Sequence, residues 1–425
     1  MTNPFKVMII GAGTGGLCLA QGLKADGIAV EVFERERTPT DRQGGYKLTI
    51  SPTGNRALKE CLPESVFQKL VQSSARVSQG VSFLDERLKP LLTIDLPNTD
   101  LGSVDCARPI SRIALRQVLL EGLDDIVHFG KKFVCFDDTP EGQVTARFED
   151  GTTTTGDLLV GADGANSYVR ARLLPYTRRV ETGVMAVSGK IGLNEEVRAV
   201  TPSAIFRGPT LMLGPRGSFL FANAMEYEDA DASVPGSCPQ ANGGAVPSDD
   251  REEYVMWGFS ARRERFAPFL NRDSSNAEAL KTMVLTLMKD WDPGLRWLIQ
   301  NSSAISTFSV KTAVPVPAWE TRNVTLLGDA LHNMTPFQGM GANAALRDAA
   351  ALRRVLVSVD HGESPLLESL ATYEREMIEY GFRAVRASLA NMRLVHSKGI
   401  GRELTKLGFR LINLFPRLKE KFTNR

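Results

Sequence analysis

The chain has 425 residues, 51 Lys and Arg against 49 Asp and Glu, and an ordinary 43% of apolar residues. That length favours two joined domains over one, and the composition excludes a disordered or fibrous chain. The near-neutral charge leaves no footprint for nucleic acid. Five scattered cysteines without a C-x-x-C exclude a disulfide framework and a metal site, as expected of reduced thiols in a cytoplasmic protein.

The opening "MTNPFKVMIIGAG" runs straight into a strand pattern with no charged leader and no long apolar core, so it does not read as a signal peptide. No apolar stretch reaches the length of a membrane span, and membrane association is not expected. "KVMIIG" (6–11) predicts a buried strand, "GLCLAQGLKADG" (16–27) a helix stopped by glycine, and "IAVEVFERE" (28–36) a second strand ending in acid. This β-α-β order builds a parallel sheet covered by helices.

Within that unit, "GAGTGG" places Gly11, Gly13 and Gly16 in G-x-G-x-x-G spacing, after a strand and at the start of a helix. A tight turn needs Gly11, close approach to a pyrophosphate needs Gly13, and helix–strand packing needs Gly16. The helix start beyond them offers unpaired N–H groups to phosphate. Glu34, at the end of the next strand, is placed to accept from the ribose of an adenosine, with Arg35 beside it either touching the adenosine or solvated. The plainer alternative is a glycine-rich turn with no ligand.

Further along, "ISRIALRQVLLEGL" (110–123) predicts a helix begun by Ser111. "VTARFEDGTTTTGDLLVGADG" (144–164) predicts a hairpin turning at Asp150-Gly151, then a strand into a glycine turn. From about Gly183 to Ser309 the pattern is that of a mostly antiparallel second sheet with a few helices. The Gly-, Pro-, Ser- and Asp-rich stretch 228–253 inside it reads as a long hairpin loop or a substrate lid. Residues 366–395 predict one long helix. The amphipathic segment after it, rich in Lys and Arg, reads as an apolar face docked on the body with a solvated basic face; such a helix also suits a membrane surface.

Three separated motifs carry a resemblance. The first is the glycine fingerprint with Glu34. The second is "DLLVGADGANSYVR" (157–170), similar to an Asp-Gly motif with Asp163, Gly164, Ser167 and Arg170 in place. The third is "GDALHNMTPFQGMGAN" (328–343), similar to a Gly-Asp motif. Together they resemble the single-component FAD-dependent hydroxylases of the para-hydroxybenzoate hydroxylase type. The resemblance implies an α/β fold: a Rossmann-like FAD-binding domain with an inserted, mostly antiparallel substrate-binding sheet and C-terminal helices. The expected domains are 1–75, 100–182 and 306–365 for FAD, 76–99 and 183–305 for substrate, and 366–425 as a helical segment.

By the same resemblance, Asp329 accepts from the ribityl chain of FAD, and Gly339, Gly341 and Ala342 are small so that backbone can approach the flavin ring. Asn343 fixes that turn and His332 is packed or hydrogen-bonded rather than catalytic. Asp163 faces the cofactor, while Ser167 and Arg170 hold the turn and helix after it. "GGYKLTISPTGNRAL" (44–58) resembles the segment that passes the flavin, so backbone near Gly45 and Lys47 is expected to line it. Arg112, first in an R-x-x-L-R helix, is expected to reach the cofactor; the other reading of Arg112 and Arg116 is a pair of exposed helix cations.

The implied activity is a monooxygenase: NAD(P)H as transient co-substrate reduces FAD, and the flavin C4a-hydroperoxide passes one oxygen atom from O2 to a small aromatic or polycyclic molecule. Hydroxylation leads, with epoxidation and Baeyer–Villiger insertion as variants. No metal, covalent nucleophile or catalytic side chain is assigned. The sequence departs from the family in one place. Where many members carry an aromatic–arginine pair at the substrate, it reads "VMAVSGKIGL" (184–193), with Lys190 and the more distant Arg207 as the nearest cations, each of which also reads as surface charge. The alternatives are an FAD-linked oxidase or dehydrogenase without NAD(P)H, or a non-catalytic FAD-binding protein. The four tryptophans are never in W-x-W spacing, which argues against a flavin halogenase.

Overall fold

The computed structural model describes residues 5–41, 47–97, 99–139, 142–227, 252–269, 276–415 and 419. The expected loop at 228–253 therefore lies, but for its last two residues, outside the described residues. The chain forms two compact units: residues 1–74, 101–180 and 311–389, and residues 75–100, 181–310 and 390–425.

The first unit is built on five parallel strands: β1 (Lys6–Ile10), β2 (Ala29–Phe33), β3 (Val127–His128), β4 (Leu158–Gly161) and β5 (Val324–Leu326). Their spatial order is β5-β4-β1-β2-β3. Central strands buried on both faces are apolar throughout, and Val7, Met8, Ile9, Leu158, Leu159 and Val160 are all fully buried. The helix α1 (Thr14–Ala25) packs on β1 and β2, and α2 (Gly341–Asp360) packs on α1. A three-stranded antiparallel sheet, with the Val144–Phe148 and Thr153–Gly156 hairpin turning through Gly151 at φ 82°, joins the same core; Phe148 packs on Phe33 at 4.7 Å between ring centres. The predicted β-α-β unit and hairpin are thus present, with the second strand closing at Phe33 and Glu34 just beyond it.

The second unit carries a seven-stranded sheet in the order Ser303–Ala313, Arg179–Gly192, Tyr254–Arg262, Phe219–Met225, Thr210–Leu213, Gly80–Asp85, Pro90–Asp95. Among the registered pairs only Thr210–Leu213 with Gly80–Asp85 runs parallel. Alternation along a strand splits the two faces. Met212 joins the core with Trp257, Phe259 and Trp291 under short helices, and its neighbour Leu213 joins Leu91, Leu92 and Phe409. Trp257 is fully enclosed because its Nε1–H finds the Ser302 hydroxyl at 2.7 Å.

Phe409 belongs to α3 (Gly399–Leu414), the amphipathic segment after the long helix Leu366–Val395. The expected docked apolar face is present only in part: Phe409 and Ile412 pack on Leu91, Leu92, Ile94 and Leu213, but two basic residues are docked beside them. The residues α3 buries are Arg402, Lys406 and Phe409, and its leucines face outward. Hydrophobic periodicity reports that a helix has two faces but not which one is buried; here buried hydrogen-bond acceptors on the body select the basic one. No helix among the described residues is long and apolar enough to cross a membrane.

Candidate functional site

Three loops, all following parallel strands of the first unit, converge on one cleft of about 280 Å³. The first follows β1. Gly11 sits at φ 110°, and a Cβ there would lie 2.6 Å from the Ala162 carbonyl oxygen, so only glycine fits. A Cβ on Gly16 would strike the Gly11 carbonyl oxygen at 2.2 Å, which is how α1 packs tightly beneath the turn. Gly13 is different: it N-caps α1 with no side-chain cap, and a Cβ there would meet no protein atom closer than 3.9 Å. Packing does not demand glycine at 13. The cleft it lines does, if backbone is to approach a ligand at the uncapped N–H groups of the helix start.

Glu34 closes this loop. Its carboxylate is 6% exposed and accepts from Ala12 N at 2.8 Å and from Glu36 N at 3.1 Å. The same acid therefore fixes the glycine turn and lines the cleft. Arg35 beside it is exposed at the rim. Arg112, at the start of a helix N-capped by Ser111, also lines the cleft, whereas Arg116 turns to pair with Glu36. Of the two readings of these arginines, Arg112 takes the cleft and Arg116 is a half-buried partner of an acid rather than an exposed cation.

The second loop follows β4. Asp163 Oδ2 accepts from Tyr168 N at 2.7 Å and from Val169 N at 3.3 Å, while Ser167 caps the next helix by accepting from Arg170 N at 2.8 Å. Asp163 Oδ1 is buried with no hydrogen-bond partner. Desolvation raises the Asp163 pKa, against the bonds from Ser167, Val169 and Tyr168 that lower it. A buried acceptor left this way costs free energy until a donor reaches it, which is the mark of a carboxylate awaiting a ligand. Arg170 reaches across to the third loop, donating to the carbonyls of Ala330 at 2.7 Å and Ala165 at 3.2 Å.

The third loop follows β5. Gly328, at φ 61°, turns the chain into the short helix Asp329–His332, and half-buried Asp329 lines the cleft beside Gly341 and Ala342. His332 is fully buried and bonds Asp348 at 2.7 Å; Asp348 also accepts from Gly328 N at 2.6 Å and from the Tyr380 hydroxyl. Asn343 is 2% exposed and does not line the cleft. Its amide accepts from Ser51 N at 2.8 Å and donates to Thr49 O at 3.0 Å and Gly339 O at 3.1 Å, tying the start of α2 to the Lys47–Ile50 strand. The start of α2 has no side-chain cap, so its first N–H groups stay available.

The structure thus gathers Gly11, Gly13, Glu34, Arg35, Arg112, Asp163, Asp329, Gly341 and Ala342 around one cleft. Gly16 and Asn343 stand behind it. Gly45 lies outside the described residues, and Lys47 keeps part of its surface yet is not among the lining residues; burial of its ammonium pushes the pKa down to about 7. Sequence reasoning missed Lys131 and Lys132, which line the same cleft while pairing with Asp150 and Glu149, and the supporting pair Asp348 and Tyr380. The signal for Asp348 was available: a lone acid in "AALRDAAAL", on the buried face of an alanine-rich helix. Lys190 pairs with Glu252 and Arg207 with Asp95, both in the second unit. A larger cavity of about 640 Å³ in that unit, near Arg76 and Arg207, holds none of the motif residues.

Comparison with known proteins gives a consistent result. A family model for an FAD binding domain matches residues 121–388. A dual O-methyltransferase/FAD-dependent monooxygenase of Cercospora beticola is 31% identical over 93% of this chain and 47% of its own length. An FAD-dependent monooxygenase of Emericella nidulans is 29% identical over 92% of this chain and 99% of its own. A candidate FAD-containing monooxygenase from Photorhabdus luminescens, known as a crystal structure, superposes with a TM-score of 0.78 at 32% identity, over 92% of this chain and 98% of that one. The chain spans about half the length of the first curated relatives it matches, those named as dual-function proteins.

Proposed function

Because this chain belongs to the single-component FAD-dependent monooxygenase family, we propose that it uses NAD(P)H and O2 to insert one oxygen atom, by hydroxylation, into a small aromatic or polycyclic molecule. The observation that carries the reading is the convergence on one cleft of three loops from distant parts of the chain, with Asp163, whose buried Oδ1 has no hydrogen-bond partner, among its lining residues and two uncapped helix starts beside it.

These residues fit FAD. The N–H groups at the start of α1 suit the pyrophosphate, with Gly13 leaving room for it. The remaining acceptor capacity of Glu34 suits the adenosine ribose, and Asp329 suits the ribityl hydroxyls. When bound, FAD supplies the redox chemistry, passing electrons from NAD(P)H to O2 and oxygen to the substrate. The chain's own contribution is orientation and electrostatics. Gly341 and Ala342 begin α2 with free N–H groups, and the positive end of that helix favours negative charge at the cleft. Arg170 ties the second loop to the third and Asn343 ties the start of α2 to the Lys47–Ile50 strand, so that a bound cofactor would meet one fixed geometry.

We read the chain as corresponding to the monooxygenase part of the dual-function relatives. A newly installed phenolic hydroxyl is the kind of nucleophile an O-methyltransferase consumes, which fits an aromatic substrate. The test is direct. The purified protein is expected to carry FAD released by heat, to consume NAD(P)H and O2 together when offered a panel of phenolic and polycyclic aromatics, and to give a product heavier by one oxygen atom. Oxygen uptake without NAD(P)H would favour an oxidase instead, and a flavin inert to both NADH and NADPH would end the monooxygenase reading.

A further inference from the structure

The side of α3 that faces solvent carries most of its large apolar residues, while Phe409 and Ile412 pack on the body. Ile400, Leu404, Leu407, Leu411, Leu414 and Phe415 recur at helical spacing and are 45% to 81% exposed. They are six of the fourteen large apolar side chains exposed among the described residues, so the patch is concentrated rather than scattered. The helix cannot roll to hide them. Arg402 donates to the carbonyls of Ser218 at 2.9 Å, Val395 at 3.2 Å and Ser397 at 3.3 Å, and Lys406 bonds Glu86 at 3.0 Å. Turning the leucines inward would strand or expose those bonds and pull Phe409 from its place with Leu91, Leu92 and Leu213.

Charge says what could cover such a face. Residues 398–425 hold eight Lys and Arg against two Glu, while the rest of the chain holds 43 basic against 47 acidic residues. The chain's net positive charge therefore comes from the segment that carries the apolar stripe, even though Arg402 and Lys406 are bonded to the body and Lys419 lies 3.2 Å from Asp95, and the remainder is net negative. Exposed Lys398 lies beside the helix, and Arg410 on it is partly exposed while lying 3.9 Å from Asp85. A second copy pairing through this stripe would bring two strongly positive segments together, which electrostatics opposes. An anionic bilayer satisfies both features, since apolar side chains enter the headgroup boundary while Lys and Arg meet lipid phosphates and carboxylates.

We propose that the outer face of α3 is a docking surface for an anionic lipid bilayer, on which the helix lies in the plane of the interface without spanning it. The test uses the full FAD-loaded chain and flotation with vesicles of phosphatidylcholine alone or with about 30 mol% phosphatidylserine. The expected result is at least tenfold more protein floating with the anionic vesicles, falling as salt is raised. The double variant L404E/L411E, at exposed positions, should keep its circular dichroism and bound flavin but stay in the unbound fraction. The proposal is overturned if the wild type floats with neither vesicle or the variant floats as well as wild type. It is equally overturned if light scattering shows a wild-type dimer that the same variant dissociates, which would assign the stripe to a second copy.

Discussion

His332 and Asp348 meet at 2.7 Å with neither side chain exposed, and the same carboxylate holds the N–H of Gly328 at 2.6 Å. One buried acid in α2 thus sets the turn that presents Asp329 to the cleft. Asp348→Ala would leave the imidazole, a backbone donor and the Tyr380 hydroxyl unpaired, and it should cost about 3–5 kcal/mol of stability. Burial works to lower the His332 pKa, but the charge of Asp348 and its hydrogen bond, with a smaller pull from Asp329, together raise it. A raised histidine pKa stabilises the fold fully below about pH 6.5 and loses that contribution as pH rises through the folded value. Denaturant unfolding followed across neutral pH should show this decline in the wild type and a flatter profile in Asp348→Asn. An unchanged profile in that variant would remove the ion-pair account.

How much of this was legible beforehand follows the distance over which each signal acts. The strand–glycine–helix start at 6–16 and the hairpin at Asp150-Gly151 are local, so spacing and turn chemistry exposed them. The roles of Asp163 and Asp329 were legible only through family resemblance, because a lone acid after a strand has no local signature. Asn343 was expected to fix its turn, but its bonds to Ser51 and Thr49 lie some 290 residues away in sequence, beyond any periodicity. His332 was expected to be packed or hydrogen-bonded, but its partner Asp348 is sixteen residues on and on a different helix, beyond any local signal. The orientation of α3 failed for another reason: an amphipathic pattern fixes two faces and leaves their assignment to the surface they meet.

Glu34 serves two masters, and its variants should separate them. If Glu34 accepts from the ribose as proposed, Glu34→Ala removes that acceptor and also strands the buried Ala12 N–H now held at 2.8 Å. Apoprotein titrated with FAD should bind about 10- to 150-fold more weakly, the equivalent of about 1.5–3 kcal/mol. Glu34→Gln keeps a neutral acceptor for Ala12 and should lose less. Equal FAD affinity in wild type and Glu34→Ala would show that the acid acts only on the turn.

His396, in the second unit, predicts an acid limit to stability. Its Nδ1–H donates to Met392 O at 2.7 Å, so Nε2 accepts from the Ser260 hydroxyl at 3.0 Å and the ring is held neutral. Desolvation is the main cause that pushes its pKa down to about 4, with Arg402 and Arg262 acting the same way against the Met392 bond. Above about pH 6.5 the group is neutral in both states and its contribution is complete. Below that the unfolded chain takes up a proton that the folded one refuses, so stability falls towards pH 4 by about 3 kcal/mol. Thermal melts of His396→Gln should fall less steeply over that window than those of the wild type. Parallel curves would mean that His396 titrates normally.

Asp329 is where loss of the cofactor and loss of coupling should part company. It lines the cleft between the turn fixed by Asp348 and the uncapped start of α2, on the side of Gly341 and Ala342. Asp329→Ala leaves Gly11, Gly13 and Glu34 to hold the adenosine half, so FAD should still bind, about 1.5–3 kcal/mol more weakly. With FAD in excess, Glu34→Ala should regain its coupling, because its defects lie at the glycine turn and the proposed adenosine end rather than beside Gly341 and Ala342. Asp329→Ala should not: a ring held loosely sits outside the geometry that oxygen transfer requires, and the electrons leave as hydrogen peroxide. The measurement is hydrogen peroxide released per NAD(P)H consumed at saturating FAD and substrate, expected to rise several-fold in Asp329→Ala and to match wild type in Glu34→Ala. If the two variants were equally well coupled under those conditions, Asp329 would be one more affinity contact and the orientation of the ring would have to come from α2 alone.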